Sequence, residues 1–274
     1  MERGGRSGHR RPDHRGARGT GGGPGIALTA TIAIPARLES SRLPRKPLAD
    51  INGRTMVQRV YEAGAGAGAE RVVVLTDSEE VAEATRAFGG DVMMTSPDCV
   101  SGTARVASIA NRVDTDLLIN LQGDAPLTDP SVLEQMIEEA DRSRAPVTIP
   151  VYALESEEDV DDPNVVKVVR THDGRVLYCS RSPIPYVRDD PRPWIEQARY
   201  WGHPGLYAFT REFMLELPKL PPSPLDDAEK LEQLQWLEDG YHMHSFEVPK
   251  QGITVDTQEE LERVRREFAA REAA

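Results

Sequence analysis

The feature that most constrains the fold is an alternation, through the first half of the chain, of short apolar runs with segments of helical spacing. The runs are rich in Val, Ile and Leu and lie at residues 26–36, 71–76, 91–94 and 116–121. The segments of helical spacing lie at residues 55–66, 78–88, 101–112 and 129–142. This βαβ order is typical of a parallel sheet whose strands are buried on both faces. The sequence therefore predicts an α/β fold with a mostly parallel, Rossmann-like sheet.

Beyond residue 145 the pattern changes to strand-like runs joined by proline-rich connections. These runs lie at residues 146–153, 164–170, 174–180 and 203–209. They predict a β-rich extension around residues 146–222. Two helices, at 226–238 and 257–270, and a strand near 243–248 are predicted to complete a single domain that spans residues 26–274.

Residues 1–25 differ from everything that follows them. They contain six arginines and hardly any apolar side chains, so nothing in them drives folding. We predict that they form a disordered tail. Because they lack the apolar central segment of a secretory signal, we do not expect export by that route.

The composition narrows the classes of function. With a net charge of −12 and no apolar stretch of about 18 residues, the chain is a poor candidate for binding nucleic acid or membranes. We expect neither partner, and we expect a cytoplasmic location. Cys99 and Cys179 have neither CxxC nor Cys/His spacing, which favours reduced thiols over a disulfide or a zinc site. His242 and His244 have no third ligand at a suitable spacing and are predicted to be surface residues.

The chain gathers positive charge directly after its first apolar run. Arg37, Arg42 and Lys46 follow Pro35 and Ala36 in a proline-punctuated loop. Ligands of open parallel sheets bind at the carboxyl ends of the strands. A triphosphate needs several cations together, since one charge pair at ~4 Å is worth only about 4 kcal/mol near a protein surface. The position favours phosphate binding over a merely solvated loop, and the absence of GxxxxGK[ST] and GxGxxG indicates a nucleotide site of another kind.

Polar residues follow other apolar runs as well. Thr76 and Asp77 end the second run, and Ser101 and Gly102 precede a helical segment. Backbone N–H groups at Ser101 and Gly102 are suited to binding a base or a phosphate. Helix capping is a strong explanation of the first pair, since Asp77 or Ser78 would cap the next helix, and Ser101 is first of all a plausible N-cap.

Two aspartates lie where carboxylates commonly hold Mg²⁺ together with substrate phosphates. Asp124 follows the run at 116–121 after a turn-forming glycine, and Asp256 precedes the last helix. A simple Gly-Asp turn would also account for Asp124. Thr257 and Glu260 form a capping-box pattern, which explains Thr257 better than it explains Asp256.

Taken together and in order, these stretches resemble the CMP-KDO synthetases, which make CMP-3-deoxy-D-manno-octulosonate from CTP and the free sugar acid, KDO. The match runs from about Thr31 to Phe268. It comprises PARLESSRLPRKPL, LTDSEEV, SGTAR, LINLQGD, NVVKVV, YCSRSPIPY, HPGLY, SPLDDAEKLEQL and VDT. Each motif alone is weak, and their number and order carry the resemblance.

The resemblance implies a nucleotidyltransferase fold, a homodimer formed through the β-rich extension, and Mg²⁺ as cofactor. It implies catalytic roles for Lys46, Arg37 and Asp124, and Mg²⁺ ligation by Asp124 and Asp256. The residues that it implies for CTP binding are Pro35, Ala36, Arg37, Arg42, Lys46, Thr76, Asp77, Ser101, Gly102, Arg105 and Gln122. The residues that it implies for binding the acid acceptor are Gln122, Arg181, His203, Tyr207, Glu232 and Gln233.

The implied reaction is an in-line attack of an acceptor oxygen on the α-phosphorus of CTP, with pyrophosphate leaving and no covalent protein nucleophile. Arg181 suits an acidic acceptor because its planar guanidinium binds carboxylate or phosphonate groups through two hydrogen bonds. His203 and Tyr207, in the strand predicted at 203–209, would point to one face. A packed strand with satisfied polar tips is an equally good explanation of these two residues.

The chain departs from the family pattern at several positions. It has Ala104, Ala125 and Gln235 where the family usually has Glu, Glu and Arg, and Cys99 or Val100 where a His is common. Loss of the Ser-x-x-Glu capping box at Ala104 costs about 1 kcal/mol. The other two changes remove charges near the metal loop and near the acceptor segment, and they leave the identity of the acceptor open.

Two acceptors are compatible with these departures: KDO, and a phosphonate such as phosphonoformate in natural-product biosynthesis. A non-catalytic CTP-binding regulatory homologue is the alternative from another class. It is disfavoured because a sensor has no need of both Asp124 and Asp256. Cytidylyltransferases for sialic acid or an isoprenoid intermediate are further rivals, and the KLEQL and HPGLY segments favour the KDO branch over them.

Overall fold

The structure is a computed structural model that describes residues 28–39, 42–188 and 192–273. The tail predicted at residues 1–25 lies outside the described residues. The strands are β1 (Ala30–Pro35), β2 (Asp50–Ile51), β3 (Arg54–Thr55), β4 (Arg71–Thr76), β5 (Val92–Met94), β6 (Leu117–Asn120), β7 (Val147–Ala153), β8 (Val166–Arg170), β9 (Val176–Ser180), β10 (Trp201–His203), β11 (Tyr207–Thr210) and β12 (Met243–Glu247). The helices are α1 (Met56–Ala65), α2 (Glu79–Ala87), α3 (Gly102–Ala107), α4 (Pro130–Ser143), α5 (Glu157–Asp161), α6 (Arg211–Glu216), α7 (Pro224–Glu229), α8 (Glu232–Glu238) and α9 (Gln258–Glu272).

The first half of the chain forms the predicted parallel sheet, in the order β5-β4-β1-β6. Its strands are buried on both faces because apolar residues fill most of their positions, and the polar side chains of Thr31, Thr76 and Asn120 are buried as well. In β1, Ile32 and Ile34 pack into the core on one side, against α1, α4 and α9, while Ala33 packs into the core on the other side. The predicted α/β class and the mostly parallel sheet are therefore confirmed.

Side-chain caps set where the helices between these strands begin. Ser78 accepts a hydrogen bond from the Val81 N–H and starts α2, and Ser101 accepts one from the Ala104 N–H and starts α3. Thr257 and Glu260 form the capping box predicted for α9. Ser78 rather than Asp77 caps α2, so the Asp77 carboxylate is available for another partner.

The second half extends the same sheet with antiparallel strands. β11 lies antiparallel between β6 and β7, and β12 runs parallel to β7. β10, β8 and β9 then follow beyond β7, each antiparallel to its neighbour. We refer to these last three strands as the antiparallel branch. The predicted extension around residues 146–222 contains this branch, and the division into tail, single domain and extension stays a prediction.

Three predicted elements were wrong in extent. The strand predicted at 203–209 is two strands, because the chain turns between β10 and β11 at Gly205, whose φ is 79°. The helix predicted at 226–238 is two helices, because Lys230 adopts a left-handed conformation with φ 51° and ends α7. The helix predicted at 101–112 ends at Ala107 and continues only as turns.

One histidine prediction was also wrong. His242 is exposed as expected, but His244 is only 8% exposed, because it lies in β12 against α4. Its Nε2 atom is 3.1 Å from Glu139 Oε2. Cys99 and Cys179 are both free thiols. Among the described helices, none combines the length and apolar character needed to cross a bilayer.

Candidate active site

Two cavities lie at the carboxyl ends of β1 and β6 and meet at Gln122, which lines both. The basic cavity has a volume of about 350 Å³. It is lined by Pro35, Ala36, Arg37, Glu39, Arg42, Lys46, Pro47, Gly102, Arg105, Gln122, Gly123, Asp124 and Asp256. The wide cavity has a volume of about 710 Å³. Its walls include Gln122, Tyr152, Asn164, Arg181, His203, Tyr207, Lys230, Glu232, Gln233, Lys250 and Gln251.

The predicted site residues divide between these cavities, with Gln122 in the walls of both. All six residues predicted to bind the acceptor line the wide cavity. Both predicted metal ligands line the basic cavity, together with all the residues predicted to bind nucleotide except Thr76, Asp77 and Ser101. The structure thus groups the residues as predicted, and their individual roles stay predictions.

The loops that form the basic cavity pack closely, backbone against backbone. Ala36 N donates to Leu75 O at 2.9 Å, which fixes the end of β1 against β4. A Cβ atom at Gly123 would lie 2.6 Å from the Pro35 carbonyl oxygen. A glycine is therefore required at residue 123, and it brings Asp124 directly beside the end of β1.

Lys46 joins the two predicted metal ligands. Its Nζ atom donates to Asp124 Oδ2 at 2.7 Å and to Asp256 Oδ1 at 2.9 Å, while Arg42 pairs with Asp256 Oδ2 at 3.1 Å. Burial alone would lower the pKa of Lys46, but the two carboxylates outweigh it, so the pKa lies above its ordinary value of 10.5. Lys46 is therefore a stable cation at neutral pH.

The donor set around Asp124 and Asp256 fits a hard divalent cation. Both carboxylates already meet at one cationic atom, the Lys46 nitrogen. Magnesium is commonly bound by one or two carboxylates, with phosphate and water oxygens completing the shell. Since the described residues contain no group of three or more potential His, Cys, Asp or Glu ligands, the other oxygens would come from the substrate and from water.

Arg37 has unmet hydrogen-bonding capacity in the basic cavity, as does Arg105, whose buried Nε atom also has no partner among the described residues. The Nη2 atom of Arg37 is buried and has no hydrogen-bond partner among the described residues. A buried guanidinium N–H without an acceptor is costly, and a phosphate oxygen would satisfy it. This observation favours an anionic ligand in the basic cavity.

Arg105 and Asp77 form an internal ion pair beside the basic cavity. The side chain of Arg105 is fully buried, and its Nη2 atom lies 2.8 Å from Asp77 Oδ2. Arg105 also donates to Thr95 Oγ1. Thr76, next to Asp77, is fully buried at the end of β4. The ion pair holds α3 against the end of β4. Arg105 and Asp77 therefore stabilise the fold, and the sequence pattern alone could not distinguish this role from the predicted binding of nucleotide.

Arg181 is already engaged with the protein. Its guanidinium donates to the carbonyl oxygens of Glu229, Pro163 and Lys230 at 2.6, 2.8 and 3.2 Å. Three of its five N–H groups are thereby used, which leaves two for a ligand. The guanidinium is held rigidly at the wall of the wide cavity.

His203 and Tyr207 lie on different strands, yet their rings are in contact, with centroids 4.8 Å apart. The Nε2–H group of His203 donates to Leu206 O at 3.1 Å, and burial lowers the pKa of His203 to about 4, so the ring is neutral. Tyr207 donates to Gln233 Oε1 at 3.3 Å, and burial raises its pKa far above the usual range. Both side chains can bind a ligand only as neutral groups.

Several residues of the wide cavity were not found from the sequence. Tyr152, Asn164, Lys230, Lys250 and Gln251 line it although none belongs to the predicted set. Lys250 pairs with Asp159 at 2.8 Å and lies over the ring of Tyr152. These residues come from β7, the loop between α5 and β8, the junction of α7 with α8, and the loop before α9, and no local pattern links them. Asn164 and Lys230 lie within the matched motifs NVVKVV and SPLDDAEKLEQL, which was the available signal for them, whereas Tyr152, Lys250 and Gln251 lie outside every matched motif.

Comparison with known proteins identifies the family. A family model described as cytidylyltransferase matches residues 31–247. The 3-deoxy-manno-octulosonate cytidylyltransferase of Syntrophotalea carbinolica is 44% identical over 246 residues, which cover 86% of this chain and 97% of that protein. The enzyme of the same name from Geobacter metallireducens is also 44% identical, with 86% and 96% covered. The chain belongs to the CMP-KDO synthetase family.

A solved structure agrees with this membership of the CMP-KDO synthetase family. It is CMP:2-keto-3-deoxy-manno-octonic acid synthetase complexed with CTP, and it is 42% identical to this chain. The TM-score is 0.84, and the match covers 89% of this chain and 99% of that one. The predicted family and nucleotidyltransferase fold are confirmed, and the chain is a cytidylyltransferase.

Proposed function

We propose that the protein is a CMP-KDO synthetase that transfers CMP from CTP to KDO and releases pyrophosphate, with Mg²⁺ as its cofactor. The observation that carries the proposal is the junction of the two cavities at Gln122. One side offers arginine and lysine beside two carboxylates, and the other offers a large polar space. CTP bound on one side and a sugar acid bound on the other would meet at this junction.

The basic cavity would hold the triphosphate of CTP. Arg37 supplies a buried N–H group that lacks an acceptor, and Arg42 and Lys46 supply two further cations. With a nucleotide and metal in place, Lys46 would exchange its carboxylate partners for phosphate oxygens. Mg²⁺ held by Asp124 and Asp256 would offset the negative charge on the phosphates and on the leaving pyrophosphate.

The chemical step depends on the positioning of the two substrates and needs no covalent bond to the protein. A hydroxyl oxygen of the acceptor forms a bond to the α-phosphorus while the bond from that phosphorus to the pyrophosphate oxygen breaks. The hydroxyl proton leaves to solvent. Gln122, at the wall of both cavities, lies where the attacking oxygen and the α-phosphate would approach each other.

The dimensions of the wide cavity favour KDO as the acceptor. At about 710 Å³ it lies in the range typical of sites for whole metabolites. Its neutral donors and acceptors, including His203 and Tyr207, suit the many hydroxyl groups of an eight-carbon sugar acid. Phosphonoformate would leave most of the space to water. The relatives reported above are KDO enzymes by name, and they give no support to a phosphonate acceptor or to a regulatory role.

The test is to measure pyrophosphate release from CTP and Mg²⁺ with KDO and with phosphonoformate offered separately, and to identify the product by mass. We expect turnover with KDO and a product of the mass of CMP-KDO. Turnover with phosphonoformate alone would overturn the proposed acceptor, and the lack of turnover with any small acid would favour the regulatory alternative. Homodimerisation and a cytoplasmic location stay predictions.

A further inference from the structure

A chain of hydrogen bonds joins the strand beneath the basic cavity to the wall of the wide cavity. Asn120, the last residue of β6, donates through Nδ2 to Thr103 Oγ1 at 3.4 Å. Thr103, in the first turn of α3, donates through that hydroxyl to Glu232 Oε2 at 2.6 Å. Asn120 and Thr103 are 0% and 3% exposed, so the bond between them is shielded from water, while Glu232 is partly exposed.

The direction of the bonds follows from their chemistry. The amide nitrogen of Asn120 can only donate, so it occupies a lone pair of the Thr103 hydroxyl oxygen. The single hydroxyl proton is then directed to the Glu232 carboxylate. A short hydrogen bond to an ionised carboxylate is stronger than a bond between neutral groups. Thr103 therefore holds one oxygen of Glu232 firmly.

The other oxygen of Glu232 is available. Oε1 accepts no hydrogen bond from any residue that the structure describes, whereas Oε2 is occupied by Thr103. Glu232 lines the wide cavity, and together with Thr103 it also lines a third cavity of about 560 Å³ behind the first turn of α3. An ionised carboxylate recognises hydroxyl groups because it can only accept hydrogen bonds.

Thr103 also lies directly beside the residues at the cavity junction. Its neighbour Gly102 lines the basic cavity, and a Cβ atom at residue 102 would lie 3.2 Å from Gln122 Oε1. The first turn of α3 thus touches Gln122 through Gly102 and Glu232 through Thr103. One rigid turn fixes groups that face both substrates.

We propose that Thr103 is a positioning residue that orients Glu232 toward the hydroxyl groups of the acceptor. This inference rests on the proposed function, since it assigns Glu232 a hydroxyl-bearing acceptor in the wide cavity. Thr103 acts through Glu232 and does not touch the substrate. Its loss affects acceptor binding far more than CTP binding.

The test compares three variants of the full chain. Thr103→Val keeps the shape of the side chain but removes the donor, and we expect the KM for KDO to rise about tenfold, as for loss of one hydrogen bond to a charged group. The kcat and the KM for CTP stay within about twofold of the wild-type values. Thr103→Ser keeps the hydroxyl and should restore the KM for KDO. Thr148→Val is the matched control, because Thr148 is a fully buried threonine of β7 whose hydroxyl has no partner among the described residues.

A double variant separates positioning from simple support of the fold. If Thr103 acts through Glu232, then Thr103→Val added to Glu232→Gln raises the KM for KDO no further. A purely structural role would instead lower the melting temperature and raise the KM of both substrates, and Thr103→Ser would not rescue the KM for KDO. Either of these results, or an unchanged KM for KDO in Thr103→Val, overturns the inference.

A crystal structure of Thr103→Val keeps this test separate from that of the proposed function. If the wild-type protein does not turn over KDO, the proposed function has failed, whatever the variants do. The crystal structure then decides about Thr103 alone. A displaced Glu232 carboxylate supports the positioning role, and a carboxylate in its wild-type place overturns it.

Discussion

The two cavities are built in opposite ways. The basic cavity is formed by loops that follow parallel strands, and its key groups are charges, with Lys46 between Asp124 and Asp256 and with Arg37 partly unsatisfied. The wide cavity is formed largely by residues at the ends of the strands of the antiparallel branch, by residues 230–233 at the start of α8, and by the loop at 250–254. Its polar groups are neutral or are already hydrogen-bonded to the protein, as Arg181 is to three carbonyl oxygens.

This difference shows how one site can treat two substrates differently. Among the described residues, Arg37 of the basic cavity lacks a partner for one N–H group, and Lys46 and Arg42 are paired only with carboxylates of the same cavity. Such groups favour a highly charged ligand whose phosphates would take the place of these internal ion pairs. Groups that are held rigidly before binding favour a hydroxyl-rich ligand of low charge, because little conformational entropy of the protein is lost when it binds. We therefore expect changes in the basic cavity to act mainly on the chemical step, and changes in the wide cavity to act on stability and on acceptor recognition.

The largest effect should come from removing the carboxylate charges of the basic cavity. We expect Asp124→Asn and Asp256→Asn each to lower kcat about a thousandfold, equivalent to about 4 kcal/mol of transition-state stabilisation. The reason is that each amide is a poor ligand for Mg²⁺ and leaves Lys46 with one charged partner fewer. The measurement is pyrophosphate release from CTP and KDO in the presence of Mg²⁺, repeated after chelation with EDTA.

Asp227→Asn is the matched control, because the Asp227 side chain is 79% exposed and belongs to neither cavity. It should retain wild-type turnover. Chelation should reduce the wild-type rate to the level of the two active-site variants. Turnover that survives both substitutions would show that these carboxylates do not hold the metal.

The next effect is a dependence of the protein's free energy of unfolding on pH, caused by His203 in the wall of the wide cavity. Burial lowers the pKa of His203 from 6.5 to about 4, so the unfolded chain binds a proton in this interval that the folded chain does not. The contribution of His203 to stability is complete above pH 6.5 and is lost as the pH falls toward 4. Its loss should amount to about 3 kcal/mol in the free energy of unfolding. Denaturant unfolding at several pH values measures this loss.

The comparison that isolates His203 uses His203→Gln and His172→Gln. Glutamine at residue 203 can still donate to Leu206 O but does not titrate, so stability should depend less on pH between 6.5 and 4. His172 is exposed, and its replacement should leave the pH dependence as in the wild type. Equal slopes in all three proteins would contradict a buried, neutral His203.

The same contrast explains what could be predicted from the sequence. The strand predicted at 71–76 coincides with β4, and the loops after β1 and β6 gather the expected cations and carboxylates. In parallel βαβ units each strand carries a strong apolar signal, and the ligand edge follows from the topology. Local sequence is therefore informative about the basic cavity.

The wide cavity depends on contacts that local sequence does not encode. The carbonyl partners of Arg181 lie 18 to 49 residues away along the chain. The turn at Gly205 divides what reads as a single strand, and nothing in the pattern around His244 reveals Glu139 beside it. Motif matching found six wall residues, but long-range packing decides which of their atoms remain free for a ligand.

The smallest effect should appear at the residue that belongs to both cavities. We expect Gln122→Ala to raise the KM of CTP and of KDO together by about fivefold each, because one neutral hydrogen bond of about 1 kcal/mol is lost on each side. Gln58→Ala, which removes a side chain of α1 that bonds to Glu62, is the control and should change neither KM. An increase in only one KM would assign Gln122 to a single cavity. The two cavities would then be independent sites that share a wall, and the Gly102–Gln122 contact would serve packing rather than the alignment of two substrates.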